Sequence, residues 1–226
     1  MPVIARIAVP ASALALGEVL ESLPDAEFEV ERIVETGEDR VMPLLWVRDA
    51  EQEEIENALE EASSVQNASL VAAFDGEFLY QMDWIDRIDL LVQMITNSKA
   101  SILDAYGQRG RWHLRVLYPD RQLFSKTHDF CEEHGMDLQI QSIREMEGEP
   151  AGRYGLTEEQ HQALVYAVKR GYFKIPRDIT LEKLATETDV SHQALSERLR
   201  RGMETLVEDT LMIGTMEEEG IPSGEP

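Results

Sequence analysis

The side chains best suited to hydrogen-bond bases and phosphates cluster on one predicted helix in the C-terminal third of the chain. If Leu195 and Leu199 face the protein interior, the helical period turns the opposite face toward solvent. Within a major groove, arginine can bind guanine, glutamine can bind adenine, and a carboxylate can accept from cytosine or repel a wrong base. The candidate base contacts are Ser191, His192, Gln193, Ser196, Glu197 and Arg200. The candidate phosphate contacts are Arg198 and Arg201 and, on the preceding predicted helix, Lys183.

A second group, His128, Cys131 and His134, has the spacing of a stripe along one predicted helix. Imidazole and thiolate are zinc ligands, but three ligands from one helix seldom close a site. With Phe130 adjacent, the pattern favours a buried Cys131 flanked by surface histidines, and we predict no metal and no cofactor. The alternative is redox sensing at Cys131, which requires an exposed thiol of depressed pKa.

Catalytic motifs are missing from the sequence. It contains no nucleophile elbow, phosphate-binding loop, dinucleotide fingerprint or zinc-protease motif. The single cysteine excludes an intrachain disulfide and favours a reducing compartment. We read neither a signal peptide nor a membrane-spanning stretch, and therefore expect a cytoplasmic protein that is not an enzyme and has no membrane partner.

Charge is abundant and unevenly distributed. The chain has 44 acidic and 21 basic residues, a net charge of -23, and only five of its basic residues are lysine. Such a composition holds water in concentrated salt, so it predicts a halophile's cytosol, with an acidic mesophilic protein as the alternative. Residues 1–150 carry 12 basic and 30 acidic side chains, whereas residues 151–211 carry 9 and 10. The nearly neutral segment contains the candidate contacts, as expected of a nucleic-acid reader. A merely solvated basic stripe is the alternative.

Helix signals surround these candidates. Thr157 and Gln160 have the spacing of a capping box, and Gly171 ends the helix that they begin. Thr180 caps a short helix at 181–188, and Ser191 caps a long one after Asp189, which stands where a left-handed residue is needed. A short and a long helix joined by a tight turn predict a helix-turn-helix. An ordinary helical hairpin is the alternative.

In the first two-thirds of the chain, the same order of predicted strands and helices occurs twice. Alternating and helical periodicities give βαββαβ over the first half of this region, and the order repeats with an offset of about 71 residues between Asp49 and Asp120. We therefore predict an α+β protein with a tandem ferredoxin-like N-terminal domain, its two units covering each other, followed by an all-α helix-turn-helix domain. A single irregular α+β domain is the alternative. The predicted boundaries are 1–146, a linker at 147–155, the helix-turn-helix at 156–212 and an acidic disordered tail at 213–226.

The stretch from Gly155 to Val207 resembles the helix-turn-helix domain of the bacterio-opsin activator family of haloarchaeal regulators. The resemblance is carried by LTEEQ, GYF, PRDITLEKLA and SHQALSERLRR, and the segment through WHLRVLYPD is similar to the domain that precedes it in many members. The resemblance implies a sequence-specific transcription regulator whose partner is double-stranded DNA.

From these features we expect a homodimer, because one recognition helix reads few base pairs. The N-terminal domain would bind a small-molecule effector, contact the transcription machinery or mediate oligomerisation. The competing interpretation is a ligand-binding or protein-interaction module whose helical domain contacts a protein partner.

Overall fold

The computed structural model describes residues 1–37, 40–86, 88–146 and 154–210. The chain divides into two compact units after Arg144, and each unit is described by itself. The sequence pattern also predicts a turn at 36–39. The end of that turn, most of the predicted linker and the whole of the predicted tail lie outside the described residues.

The first unit contains eight strands and four α-helices. The strands are β1 (Val3–Pro10), β2 (Glu27–Gly37), β3 (Arg40–Arg48), β4 (Val65–Phe74), β5 (Glu77–Trp84), β6 (Ser101–Gln108), β7 (Arg111–Tyr118) and β8 (Gln139–Glu145). The helices are α1 (Gly17–Ser22), α2 (Gln52–Glu61), α3 (Asp89–Val92) and α4 (Arg121–Glu133). This order is βαββαβ repeated twice, as the sequence periodicities predict.

The predicted tandem ferredoxin-like arrangement is not confirmed, because all eight strands belong to one sheet. Their order is β4-β5-β3-β2-β6-β7-β1-β8. The two halves join edge to edge where Phe28 of β2 pairs with Gly107 of β6 and Glu29 pairs with Tyr106. The two halves exchange one strand. In one half, β5 of the second βαββαβ series lies beside β3, and in the other half β1 of the first series lies beside β7. The halves therefore do not cover each other face to face, and the central pairing removes two exposed edges.

One face of the sheet supplies the hydrophobic core. Along β7 every second side chain is buried, namely Trp112, Leu114, Val116 and Tyr118. Buried side chains of all four helices belong to the same cluster as these strand residues. Trp84 of β5 and Trp112 of β7 lie 5.9 Å apart between ring centroids, so large side chains from both halves of the sheet meet in one core. The alternating pattern follows from the two-residue period of a strand with one covered face.

Two helices and one turn differ in extent from what the sequence pattern predicts. Apolar spacing predicts a helix from Ala13 to Leu23, but α1 begins only at Gly17, because Leu16 is left-handed, and the Leu16 N–H donates to Ser64 Oγ at 3.2 Å. A helix is predicted from Asp86 to about Asn97, and the structure has the four-residue α3, which continues as a π-helix over Gln93–Asn97. The glycines predict a turn at 107–110, but β6 extends through Gln108, so the turn contains only residues 109 and 110.

The second unit is helical in its described residues. It contains α5 (Glu158–Lys169), α6 (Leu181–Glu187) and α7 (His192–Thr210). Their buried side chains form a separate hydrophobic cluster that includes Leu164, Ala167, Leu184, Leu195 and Leu199. Gly202 lets α7 approach α5 closely, because a Cβ there would lie 3.0 Å from Leu164 Cδ1.

Gly107 provides the sharpest test of the sheet core. A Cβ at this position would lie 3.0 Å from Leu20 Cδ2 and 3.1 Å from the ring of the buried Trp112. We expect Gly107→Val to lower the free energy of unfolding by about 1–3 kcal/mol through overpacking, as measured by denaturant unfolding. Gln108→Val, on the neighbouring and more exposed position, is the control. Equal stability of the two variants would contradict this packing.

Candidate nucleic-acid interface

The turn between α6 and α7 is held by local hydrogen bonds. Thr188 Oγ1 donates to Leu184 O at 2.9 Å, and Val190 N donates to Ala185 O at 3.2 Å. Asp189 adopts a left-handed φ of 53°, which confirms the prediction that its position in the turn needs a left-handed residue. Ser191 Oγ accepts from Ala194 N at 3.1 Å, so the predicted N-cap of α7 is present. The two helices are thus connected as a helix-turn-helix.

Apolar packing sets the rotation of α7 about its axis. Leu195 and Leu199 are buried in the cluster that contains Leu184 and Ala185 of α6. Since four residues make slightly more than one helical turn, these two leucines mark one stripe of α7. Ala185 of α6 is buried in the same cluster, and its small side chain leaves room for α7 to approach. The opposite stripe of α7 faces solvent.

Helix α5 begins with a capping box and is joined to α6 by side-chain hydrogen bonds at its other end. Thr157 Oγ1 accepts from Gln160 N at 3.2 Å and Gln160 Oε1 accepts from Thr157 N at 2.9 Å, which confirms the capping box. At the other end of α5, Arg170 Nε donates to Glu187 Oε2 at 2.7 Å, and Tyr166 Oη donates to the same oxygen at 2.9 Å. The hydrogen bond from Arg170 is the larger cause, and that from Tyr166 the second, of a lowered pKa of Glu187.

Most candidate contacts lie on the solvent side of the helix-turn-helix. Gln193, Glu197 and Arg200 are exposed on the side of α7 opposite Leu195 and Leu199, whereas Ser196 is half-buried and lies between the two sides. The remaining exposed candidates are Lys183 on α6, Ser191 in the turn, and His192 and Arg201 on α7. The hydroxyl oxygen of Ser191 is engaged in the cap, but its proton remains available for donation.

Arg198 is the candidate that the structure places elsewhere. Its side chain is half-buried, and Nη2 lies 3.2 Å from Glu159 Oε2 of α5. Arg198 also lines a cavity of about 450 Å³ with side chains of α5, including His161 and Tyr166. The sequence could not reveal this, because the position of α5 around α7 is a tertiary feature. A phosphate contact by Arg198 stays a prediction and would compete with Glu159.

The connection between α5 and α6 carries cationic and apolar side chains that the site prediction missed. Ile175 is 99% exposed and lies between the exposed Lys174 and Arg177. The guanidinium of Arg177 lies 4.8 Å from the centre of the Tyr172 ring, and Lys174 Nζ lies 2.7 Å from Asp178 Oδ2. A usable signal was in the sequence, because residues 169–183 contain five basic and only two acidic side chains.

The predicted stripe of His128, Cys131 and His134 does not form a ligand set. Cys131 is buried, and His134 stacks on Phe130 at 4.0 Å between ring centroids. Within the described ranges, the potential metal ligands close enough to share an ion are His128, Asp129 and Glu132, all on one face of α4. Burial raises the pKa of Cys131 to about 11. Redox sensing at Cys131 requires an exposed thiol of depressed pKa, and the structure instead buries this thiol.

No helix among the described residues is long and apolar enough to cross a membrane.

Comparison with known families agrees with this geometry. A family model described as "HTH DNA binding domain" matches residues 156–208, and one described as "GAF and HTH_10 associated domain" matches residues 8–156. The class is that of helix-turn-helix, DNA-binding transcription regulators, which indicates a non-enzymatic protein. Since the second model covers more than half of the chain, we conclude that the chain belongs to the bacterio-opsin activator-type family of these regulators. No curated protein matches it in sequence.

Cys131 offers a direct test of burial. We expect the native thiol to react with a chromogenic disulfide reagent far more slowly than the thiol of the denatured chain at neutral pH. Its thiolate is disfavoured until the pH approaches about 11. Time-resolved labelling with and without denaturant measures the difference. Fast native labelling at neutral pH would show that Cys131 is accessible and would restore the redox alternative.

Glu187 tests the connection between α5 and α6. Because its folded-state pKa is lowered, its stabilising contribution is present above the unfolded-state pKa and is lost as the pH falls through the folded-state value. We expect Glu187→Gln to lower the Tm at neutral pH, with the difference shrinking below about pH 4, where carboxylates protonate. Glu182→Gln, exposed on the same helix, is the matched control. A Glu187 effect that is independent of pH would contradict the ion pair.

Proposed function

We propose that this protein regulates transcription by reading the major groove of double-stranded DNA with α7, inside a haloarchaeal cell. One observation carries the proposal: Gln193, Glu197 and Arg200 are exposed together on the stripe of α7 opposite the buried Leu195 and Leu199. A recognition helix needs this division, with one side packed on the protein and the other free to meet base edges.

Each exposed side chain has a role that follows from its chemistry. Arg200 would bind guanine through two parallel hydrogen bonds, and Gln193 would bind adenine in the same way. Glu197 would accept from cytosine N4 or repel other bases. Ser191, His192 and Ser196 would add weaker contacts near the start of the helix.

Phosphate contacts would orient the helix in the groove. Arg201 on α7 and Lys183 on α6 are exposed and cationic, and such side chains fix register without reading sequence. The connection between α5 and α6 would add Lys174 and Arg177, because it directly precedes α6. The nearly neutral charge of residues 151–211 makes this approach to DNA less costly than an approach by residues 1–150.

Two copies of the chain would act together on a two-fold symmetric site, since one helix reads too few base pairs for a genome. The first unit would then serve oligomerisation, a small-molecule effector or contact with the transcription machinery. In concentrated salt, a protein with about four phosphate contacts loses roughly three to four decades of affinity per tenfold rise in salt. Base contacts and pairing of copies would therefore have to carry most of the affinity.

The testing experiment is selection of binding sites from a pool of random duplexes, followed by sequencing, at about 2 M KCl to match the proposed cytosol. We expect enrichment of a two-fold symmetric motif. If a folded protein selects no motif, the DNA proposal fails and the protein-interaction alternative gains weight.

Substitutions on α7 assign the roles. We expect Arg200→Ala and Gln193→Ala each to relax preference at one position of the motif, with a loss of about 1–3 kcal/mol on the preferred base. Arg201→Ala should weaken binding to all sequences about equally and reduce the salt slope. Glu182→Ala, exposed on α6, is the control. An unchanged preference in both the Arg200 and Gln193 variants would show that another face of α7 meets DNA.

A further inference from the structure

Strand β4 has no charged side chain. The longest stretch of the chain without Asp, Glu, Lys or Arg is the thirteen residues from Ala62 to Phe74, and it includes the whole of β4. Buried segments lack charge because burying a charge is costly. This segment is exposed at most of its positions, so burial within the described structure does not explain its composition.

The same strand lies at one end of the sheet order and exposes apolar side chains. Leu70 is 38% exposed, Val71 51% and Phe74 61%. Phe74 lies beside the half-buried Trp46 of β3, with 6.1 Å between ring centroids, which extends the apolar surface onto the sheet. Edge strands of monomeric proteins are usually protected by charged side chains, especially lysine. At the other end of the order, β8 carries Arg144 and Glu145.

The backbone of β4 shapes what this edge can bind. Its register with β5 shifts between Gln66 and Ser69 and again between Leu70 and Ala72. Such bulges interrupt the ladder that a second strand would continue. The attraction must therefore come mainly from the side chains of Leu70, Val71 and Phe74, supported by a short backbone pairing at most.

We propose that the β4 edge is the surface on which a second copy of this chain docks, antiparallel and about a two-fold axis. Two copies that each carry a net charge of -23 repel each other over most of their surfaces. The uncharged edge is where they can approach at least cost. Two copies of a strand related by a two-fold axis perpendicular to the strand run antiparallel, and each exposed apolar side chain is then used twice.

This geometry implies a characteristic response to salt. Added salt screens the repulsion between two acidic copies and strengthens apolar burial, so association should tighten as KCl rises. DNA binding responds in the opposite direction. Because the apolar patch is small beside a typical interface of about 800 Å² per partner, we expect dissociation constants of order 10 µM.

The inference uses the proposed DNA reading only to explain why two copies are useful, and it is tested without DNA. Sedimentation equilibrium of the full chain between about 0.2 and 2 M KCl measures the dissociation constant and its salt response. We expect a monomer–dimer equilibrium that tightens at least tenfold over this range. In the Val71→Lys and Phe74→Ser variants we expect the constant to be weakened at least tenfold.

Val168→Lys is the matched control, because Val168 is 63% exposed on α5 and the substitution adds the same charge. Circular dichroism establishes that each variant is folded. A monomer at every salt concentration up to about 100 µM protein, a threshold well above the expected constant, would overturn the proposal. So would dimers of both β4 variants as tight as the parent, or dissociation caused by Val168→Lys instead. A failed DNA selection with an intact β4-dependent dimer would refute only the DNA reading.

Discussion

The burial of Leu195 and Leu199 against α6 is the interaction on which the proposed DNA-binding surface depends. It fixes the rotation of α7, and that rotation alone decides whether Gln193 and Arg200 face solvent or protein. The short turn contributes by fixing the angle at which α7 leaves α6, through the left-handed Asp189 and the Ser191 cap. A recognition surface here is therefore a consequence of core packing, because the polar residues occupy the positions that the core leaves free.

Local signals were sufficient to predict much of this unit. The capping box of Thr157 and Gln160 and the cap at Ser191 are set by residues three positions apart, so they can be read from sequence. The pairing of Arg198 with Glu159 could not be, because it depends on where α5 lies around α7. The exposed Ile175 was overlooked for a different reason: its loop has no periodicity, and only its charge balance marks it.

In the first unit, the order of elements could be predicted but the sheet could not. Each strand has its own two-residue period, whereas the neighbour of each strand is a choice among distant segments. The exchange of β1 and β5 between the two halves leaves no trace in the periodicity of either strand. Gly107 illustrates the same limit. The glycines at 107–110 predict a turn, yet Gly107 lies within β6, where the Leu20 side chain and the Trp112 ring leave no space for a Cβ.

The two units differ in charge. Acidic residues dominate the first unit, and its longest uncharged segment contains the exposed strand β4. The second unit is nearly neutral and exposes Arg200 and Arg201. If copies associate through β4, salt acts on the protein in two opposing ways: it weakens each phosphate contact and strengthens the pairing of copies. Pairing makes binding of the second recognition helix intramolecular, so affinity lost at phosphates is recovered through the dimer. An acidic regulator would then stay bound to DNA at salt concentrations at which a basic protein, which depends on counterion release, would dissociate.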